Sequence, residues 1–166
     1  MPYKALKTRL NLSDHQRQFL RFLMRESRSL YNQALYNVRQ HFFQTDSLLT
    51  FEENYHLLKD SEHYRTLNSS QAQGVLWKVE EAMKAFFGSL RAKSKQKVRL
   101  PHYLKKDAYY PLFDRMVYKP KKEVYTLPRS NFVKRLSHEL ESISEKLRKH
   151  TTELDETQSL SLDIET

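Results

Sequence analysis

The spacing of apolar side chains divides the chain into segments of different period. From Tyr3 to Leu12 apolar and polar residues alternate, with Ala5, Lys7 and Arg9 set against Lys4, Leu6, Thr8 and Leu10. A period of two predicts a strand with one charged face. Ser13-x-x-Gln16 then has the spacing of a capping box, which predicts a helix start. Phe19, Phe22, Leu23, Leu30, Ala34, Leu35, Val38 and Phe42 follow at helical spacing. Thr45 to Leu49 reads as a connection. Thr50-x-x-Glu53 opens a short helix to about Lys59. Asn68-x-x-Gln71 opens a longer one, with Ala72, Val75, Leu76, Val79, Ala82, Met83, Phe86, Phe87 and Leu90 on one side. Periodicity stops at Arg91, and Pro101 and Pro111 exclude one continuous helix beyond it. Leu112–Tyr118 and Glu123–Leu127 flank the turn Lys119-Pro120-Lys121-Lys122 and predict two strands. Leu136, Leu140, Ile143 and Leu147 predict an amphipathic helix, and Leu160, Leu162 and Ile164 alternate as a terminal strand.

The order of these pieces predicts an α+β fold: a small β-barrel or sheet interrupted by a helical lobe, with an extra C-terminal helix and terminal strand. The expected segments are 1–12, the first strand; 13–92, the helical lobe; 93–134, a basic connector and the remaining strands; and 135–166, an acidic helix and strand. A strand at the extreme terminus needs a partner, so the expectation is that the chain is cut from something longer or assembles with a second chain.

Composition narrows the chemistry. The 166 residues hold 29 Lys+Arg against 20 Asp+Glu, a net charge of +9. No cysteine is present, which excludes disulfides, a thiol nucleophile and a Cys-rich zinc site. The two glycines, Gly74 and Gly88, cannot form a Gly-rich phosphate loop. There is no signal-peptide core and no apolar run of membrane-spanning length, so a cytoplasmic, nucleoid-associated protein without a membrane partner is expected. The charge is uneven: residues 1–90 net +3, 91–136 net +11, and 137–166 net −5. Ten Tyr and nine Phe accompany it. Cations with aromatic rings suit phosphate backbones and exposed bases.

Candidate backbone contacts follow from the basic centre. Arg91, Lys93, Lys95, Lys97, Arg99, Lys105 and Lys106 fall in a stretch without an acid, with Tyr103 interleaved and His102 as a further phosphate contact. The alternative is a solvated linker. Arg115, Lys119, Lys121 and Lys122 on the expected hairpin have the same reading, or protect an edge strand. Tyr31, Phe86 and Phe87 sit on apolar faces and read as core; Trp77 reads as core or interface. The histidines at 15, 41, 56, 63, 102, 138 and 150 form no i, i+4 pair, so no metal site is expected. Glu153, Asp155, Glu156, Asp163 and Glu165 form one local tail, unlike the carboxylates that a two-metal site gathers from distant strands.

Three groups of residues, in order, resemble a known family. They are Tyr31-Asn32; Leu67-Asn68-Ser69-Ser70-Gln71-Ala72-Gln73 running into Val79-Glu80-x-Ala82-x-Lys84-x-Phe86-Phe87; and Arg99-Leu100-Pro101-His102-Tyr103-Leu104-Lys105-Lys106 followed by Tyr125-x-Leu127-Pro128 and Phe132-Val133-Lys134. Over residues 3–134 the set is similar to the N-terminal half of the TnpB proteins, transposon-encoded RNA-guided DNA endonucleases related to type V CRISPR effectors. The resemblance implies a wedge-like barrel lobe interrupted by a helical recognition lobe, with guide RNA and target duplex DNA as partners. It implies that Gln73, with Ser69, Ser70, Phe51 and Tyr55, helps read a short DNA motif; amide side chains pair well with adenine edges. Asn68 and Gln71 are left to capping.

The family's RuvC half, with its metal-binding carboxylates and zinc module, has no counterpart here. No catalytic residue and no cofactor are therefore expected on this chain; Mg would belong to a separate RuvC domain. The expected function is a nucleic-acid-binding module that assembles with a RuvC-bearing TnpB-like chain or with itself. The alternatives are a nuclease-free DNA-binding repressor and a helical interaction protein whose basic patch serves only solubility.

Overall fold

The computed structural model describes residues 11–92, 98–112 and 129–162, with side chains to Arg148. Five helices run in order: α1 (Asp14–Thr45), α2 (Phe51–Leu58), α3 (Glu62–Thr66), α4 (Ser69–Arg91) and α5 (Asn131–Leu162). The chain divides into two compact units, Met1–Thr126 and Leu127–Thr166.

Local chemistry sets the helix ends. The Ser13 hydroxyl accepts from the Gln16 amide N–H, and the Gln16 side chain accepts from the Ser13 N–H. Thr50 and Glu53 repeat the arrangement at α2, so two of the three expected capping boxes form. Asp46 stops α1 in the left-handed region at φ 53° while its N–H still reaches the Phe42 carbonyl. Asp tolerates that conformation better than most residues. At α4 the expected box does not form: the Asn68 side chain accepts from the Ser70 N–H, and Gln71 is buried instead. Short α3, capped by Ser61, is too brief to show a periodic stripe and was not expected.

The first unit packs around one core. α1 lies chiefly against α4 and α3, and α2 against α4. Glu26 of α1 meets His63 just before α4, and Phe42 of α1 meets Phe87 near the end of α4; α1 and α4 therefore run in the same sense, with α2 and α3 forming the return. Leu30, Ala34, Leu35, Ala72, Val75, Val79 and Met83 are fully buried. Each large aliphatic among them contributes about 1.5–3 kcal/mol relative to exposure. Buried Asn54 ties α2 to α1: it donates to the Ala34 carbonyl at 3.2 Å and accepts from Asn37 at 3.1 Å. The expected stripes are largely the buried ones, but Phe22 and Leu90 are exposed.

The fold class is corrected. The described residues contain helices and irregular segments but no strand, so the α+β reading with a barrel or sheet does not hold. Residues 98–112 send their hydrogen bonds to α1 rather than to a ladder. The terminal strand is overturned as well, since α5 continues through Leu162. Extending an existing helix adds one hydrogen bond per residue fixed, whereas an isolated strand has nothing to pair with. Residues 3–10 of the first expected strand and 113–128, which cover most of the hairpin, lie outside the described residues, as does Ile164.

Candidate nucleic-acid interface

The basic stretch after α4 is docked over the described residues 98–112, which lie on α1 as a strap. Leu100, Leu104, Tyr110 and Leu112 pack against the core. Polar anchors fix the backbone between them. Asn32 donates to the Leu104 carbonyl at 3.0 Å and accepts from the Leu104 N–H at 2.8 Å. Ser27, fully buried, donates to the Pro111 carbonyl at 3.2 Å, and the Tyr110 N–H donates to the Met24 carbonyl. The rings of Tyr31 and Tyr110 stand 4.7 Å apart. Burial raises the Tyr31 phenol. It pushes Tyr110 up to about 12, with smaller contributions from Tyr31 and Glu81. Tyr31 is core, as expected.

With its apolar residues turned inward, the strap presents its charges outward. Arg99, His102, Lys105 and Lys106 are exposed. Tyr103 is 43% exposed, and the Arg39 guanidinium lies 5.0 Å from its ring centre. Arg39 also lies 5.8 Å from Phe43, and its Nε is buried without a hydrogen-bond partner. Beneath Tyr103 opens a cleft of about 570 Å³ lined by Asn32, Gln33, Tyr36, Asn37 and Leu58. Tyr36 is 55% exposed, and Gln33 Oε1 is buried without a partner. Aromatic faces beside amides can stack on a base and bond its edge.

Arg39, Gln33 and Tyr36 were missed by the sequence reading, which followed the apolar stripe of α1. The signal was the neighbouring face: Asn32, Gln33, Tyr36 and Asn37 recur at helical spacing beside it.

The other sequence-derived candidates scatter. Arg91 is exposed at the end of α4 and lines a second cleft of about 430 Å³ with Asp46, Lys84 and Phe87. Lys93, Lys95, Lys97, Arg115, Lys119, Lys121 and Lys122 lie outside the described residues. At the start of α4, Ser69 is exposed and Ser70 half-buried. Half-buried Gln73 approaches the Tyr64 hydroxyl without closing a well-formed hydrogen bond. Burial raises the Tyr64 phenol, and the Gln73 amide opposes that rise. Phe51 stacks on Trp77 at 4.5 Å and 22°, and Tyr55 packs edge-on to Tyr64. One face of Phe51 is therefore occupied by protein, and Trp77 is a packing residue.

Among the described residues no group of His, Asp and Glu is placed to hold a metal ion, and no helix is long and apolar enough to cross a membrane. In comparisons with known proteins, no family model and no curated protein matches the chain.

Proposed function

We propose that the chain is a nucleic-acid-binding module that grips RNA by its backbone along the strap and α1, with one unstacked base seated in the cleft under Tyr103. The docking of the strap is the observation that supports this. Because Asn32 fixes Leu104, the exposed Arg99, His102, Lys105 and Lys106 project from an ordered backbone. The same strap contributes Tyr103 to the cleft, whose lining also holds Tyr36 and the amides of Gln33 and Asn37. A fixed cationic rim loses less entropy on meeting a phosphate backbone than a free tail does. Tyrosines and amides suit a base.

The two segments joined by this clamp, Tyr31-Asn32 and Arg99–Lys106, are two of the three on which the resemblance to TnpB rests. That favours a guide RNA as the ligand. In this reading Ser69 and Gln73 approach a short DNA motif, base pairing reads the remaining target, and Phe51 and Tyr55 support α2 and α4 from within. Cleavage belongs to a RuvC-bearing partner, which would hold Mg.

The test is to purify the protein from its native locus without nuclease treatment and to sequence nucleic acid retained at about 0.5 M salt, where phosphate-only contacts are strongly weakened. One enriched, structured RNA mapping beside the gene is the expected result. Duplex DNA bound at low salt with no retained RNA replaces this reading with the repressor. If neither binds, the basic face serves solubility.

A further inference from the structure

α5 carries Leu136, Leu140, Ile143 and Leu147 at alternating steps of four and three residues, and all four are exposed, between 42% and 65%. Those steps place the four residues at the a and d positions of a heptad, the seam of a coiled coil. α5 is the only regular element described within the unit Leu127–Thr166. A helix of 32 residues with such a seam is completed by another helix.

We propose that α5 pairs antiparallel with α5 of a second copy of this chain, with Leu140 of one facing Ile143 of the other. Charge complementarity selects this arrangement. Glu139 and Lys146 flank the seam on the same side, one heptad apart. In the antiparallel register with Leu140 opposite Ile143, Glu139 meets Lys146 of the second copy, and the symmetry repeats the pair. Sliding by one heptad brings Glu139 against Glu139, or Lys146 against Lys146. In a parallel pair the residues facing these positions are Ser144 and Thr151, which are uncharged. The seam is thus complementary to itself about a two-fold axis, as an isologous dimer requires. The inference does not depend on nucleic-acid binding.

Light scattering of the full chain across a concentration series is expected to show a dimer. Leu140→Glu with Ile143→Glu should raise its dissociation constant roughly 100-fold or more, since a carboxylate would be buried in each layer. Glu139→Lys or Lys146→Glu alone should weaken it roughly tenfold, and the two together should restore it. The lack of cysteine permits a test of direction. In the antiparallel pair the two 136 positions are about 16 Å apart along the axis, beyond disulfide reach. Leu136→Cys protein should therefore not cross-link to itself, but should cross-link to Leu147→Cys protein. Unchanged Trp77 fluorescence in each variant confirms that the first unit remains folded. A monomer at every concentration overturns the proposal, and so does self-cross-linking of Leu136→Cys.

Discussion

Asn32 of α1 holds the backbone of Leu104, 72 residues later, by both of its polar groups, donating to the carbonyl and accepting from the amide. One asparagine thus does for an extended segment what a neighbouring strand does in a sheet. The pair lies half-buried, so neither bond is freely replaced by water. Asn32→Ala is expected to cost roughly 2–3 kcal/mol: two hydrogen bonds and two half-buried backbone groups left unpaired. Urea titration measures the loss. Hydrogen exchange at the Leu104 amide should accelerate well beyond the global change. An unchanged exchange rate there would mean that the apolar anchors alone hold the strap.

Three largely buried phenols make stability sensitive to alkaline pH. The folded pKa of Tyr110 is pushed up to about 12 by burial, and those of Tyr31 and Tyr64 are raised for the same reason. An unfolded tyrosine ionises near pH 10. A raised folded pKa contributes stability that is fully present below the unfolded value and is lost as pH rises through the folded one. The window for Tyr110 is therefore about pH 10 to 12, and unfolding becomes easier across it. Tyr110→Phe should flatten the profile of denaturation midpoint against pH in that window while leaving it parallel to wild type near neutrality. A wild-type midpoint that does not fall between pH 10 and 12 contradicts the assignment.

The helical unit follows from local signals, and the site does not. Ser13/Gln16 and Thr50/Glu53 announce their helices because a capping box is contained within four residues. Leu30, Ala34, Leu35, Val75 and Val79 announce the core because a helix repeats every 3.6 residues. The strap has no such local logic. Leu100, Leu104, Tyr110 and Leu112 are irregularly spaced, and what fixes them is contact with residues of α1 many positions earlier. Asn32 and Ser27 look like ordinary polar interruptions of a helix until their partners are known. The terminal strand failed for the converse reason. Alternation over Leu160, Leu162 and Ile164 is too short to outweigh a helix already in progress. Gln71 shows a third kind of failure, because capping-box spacing does not reveal that the side chain turns into the core.

Gln71 is 1% exposed, and neither end of its amide finds a hydrogen-bond partner. A buried amide in that condition costs free energy that an apolar side chain of similar length does not. Gln71→Met should therefore stabilise the protein, by roughly 1–2 kcal/mol. Thermal and urea unfolding should agree on the sign. If the variant also loses nucleic-acid affinity, Gln71 is held unsatisfied for a ligand at the start of α4. If affinity is unchanged, the amide is simply a defect of packing.

The strap and the cleft should separate into two kinds of binding defect. Lys105 and Lys106 are exposed cations; under the proposed function each phosphate they neutralise would contribute about 0.7 to the salt slope on a single strand. Lys105→Ala with Lys106→Ala should lower affinity for every oligonucleotide alike and reduce that slope by roughly 1.4. Tyr36 and Tyr103 offer rings rather than charge. Tyr36→Ala or Tyr103→Ala should cost roughly 1–3 kcal/mol on strands with intact bases while leaving the salt slope alone. A strand of abasic sites should bind these two variants and wild type equally, because the lost interaction needs a base. Fluorescence anisotropy with uridine, adenosine and abasic 12-mers across a salt series measures all of these quantities at once. If the tyrosine variants change only the slope, the cleft is not a base site and the rings merely position Arg39, which stands 5.0 Å from Tyr103.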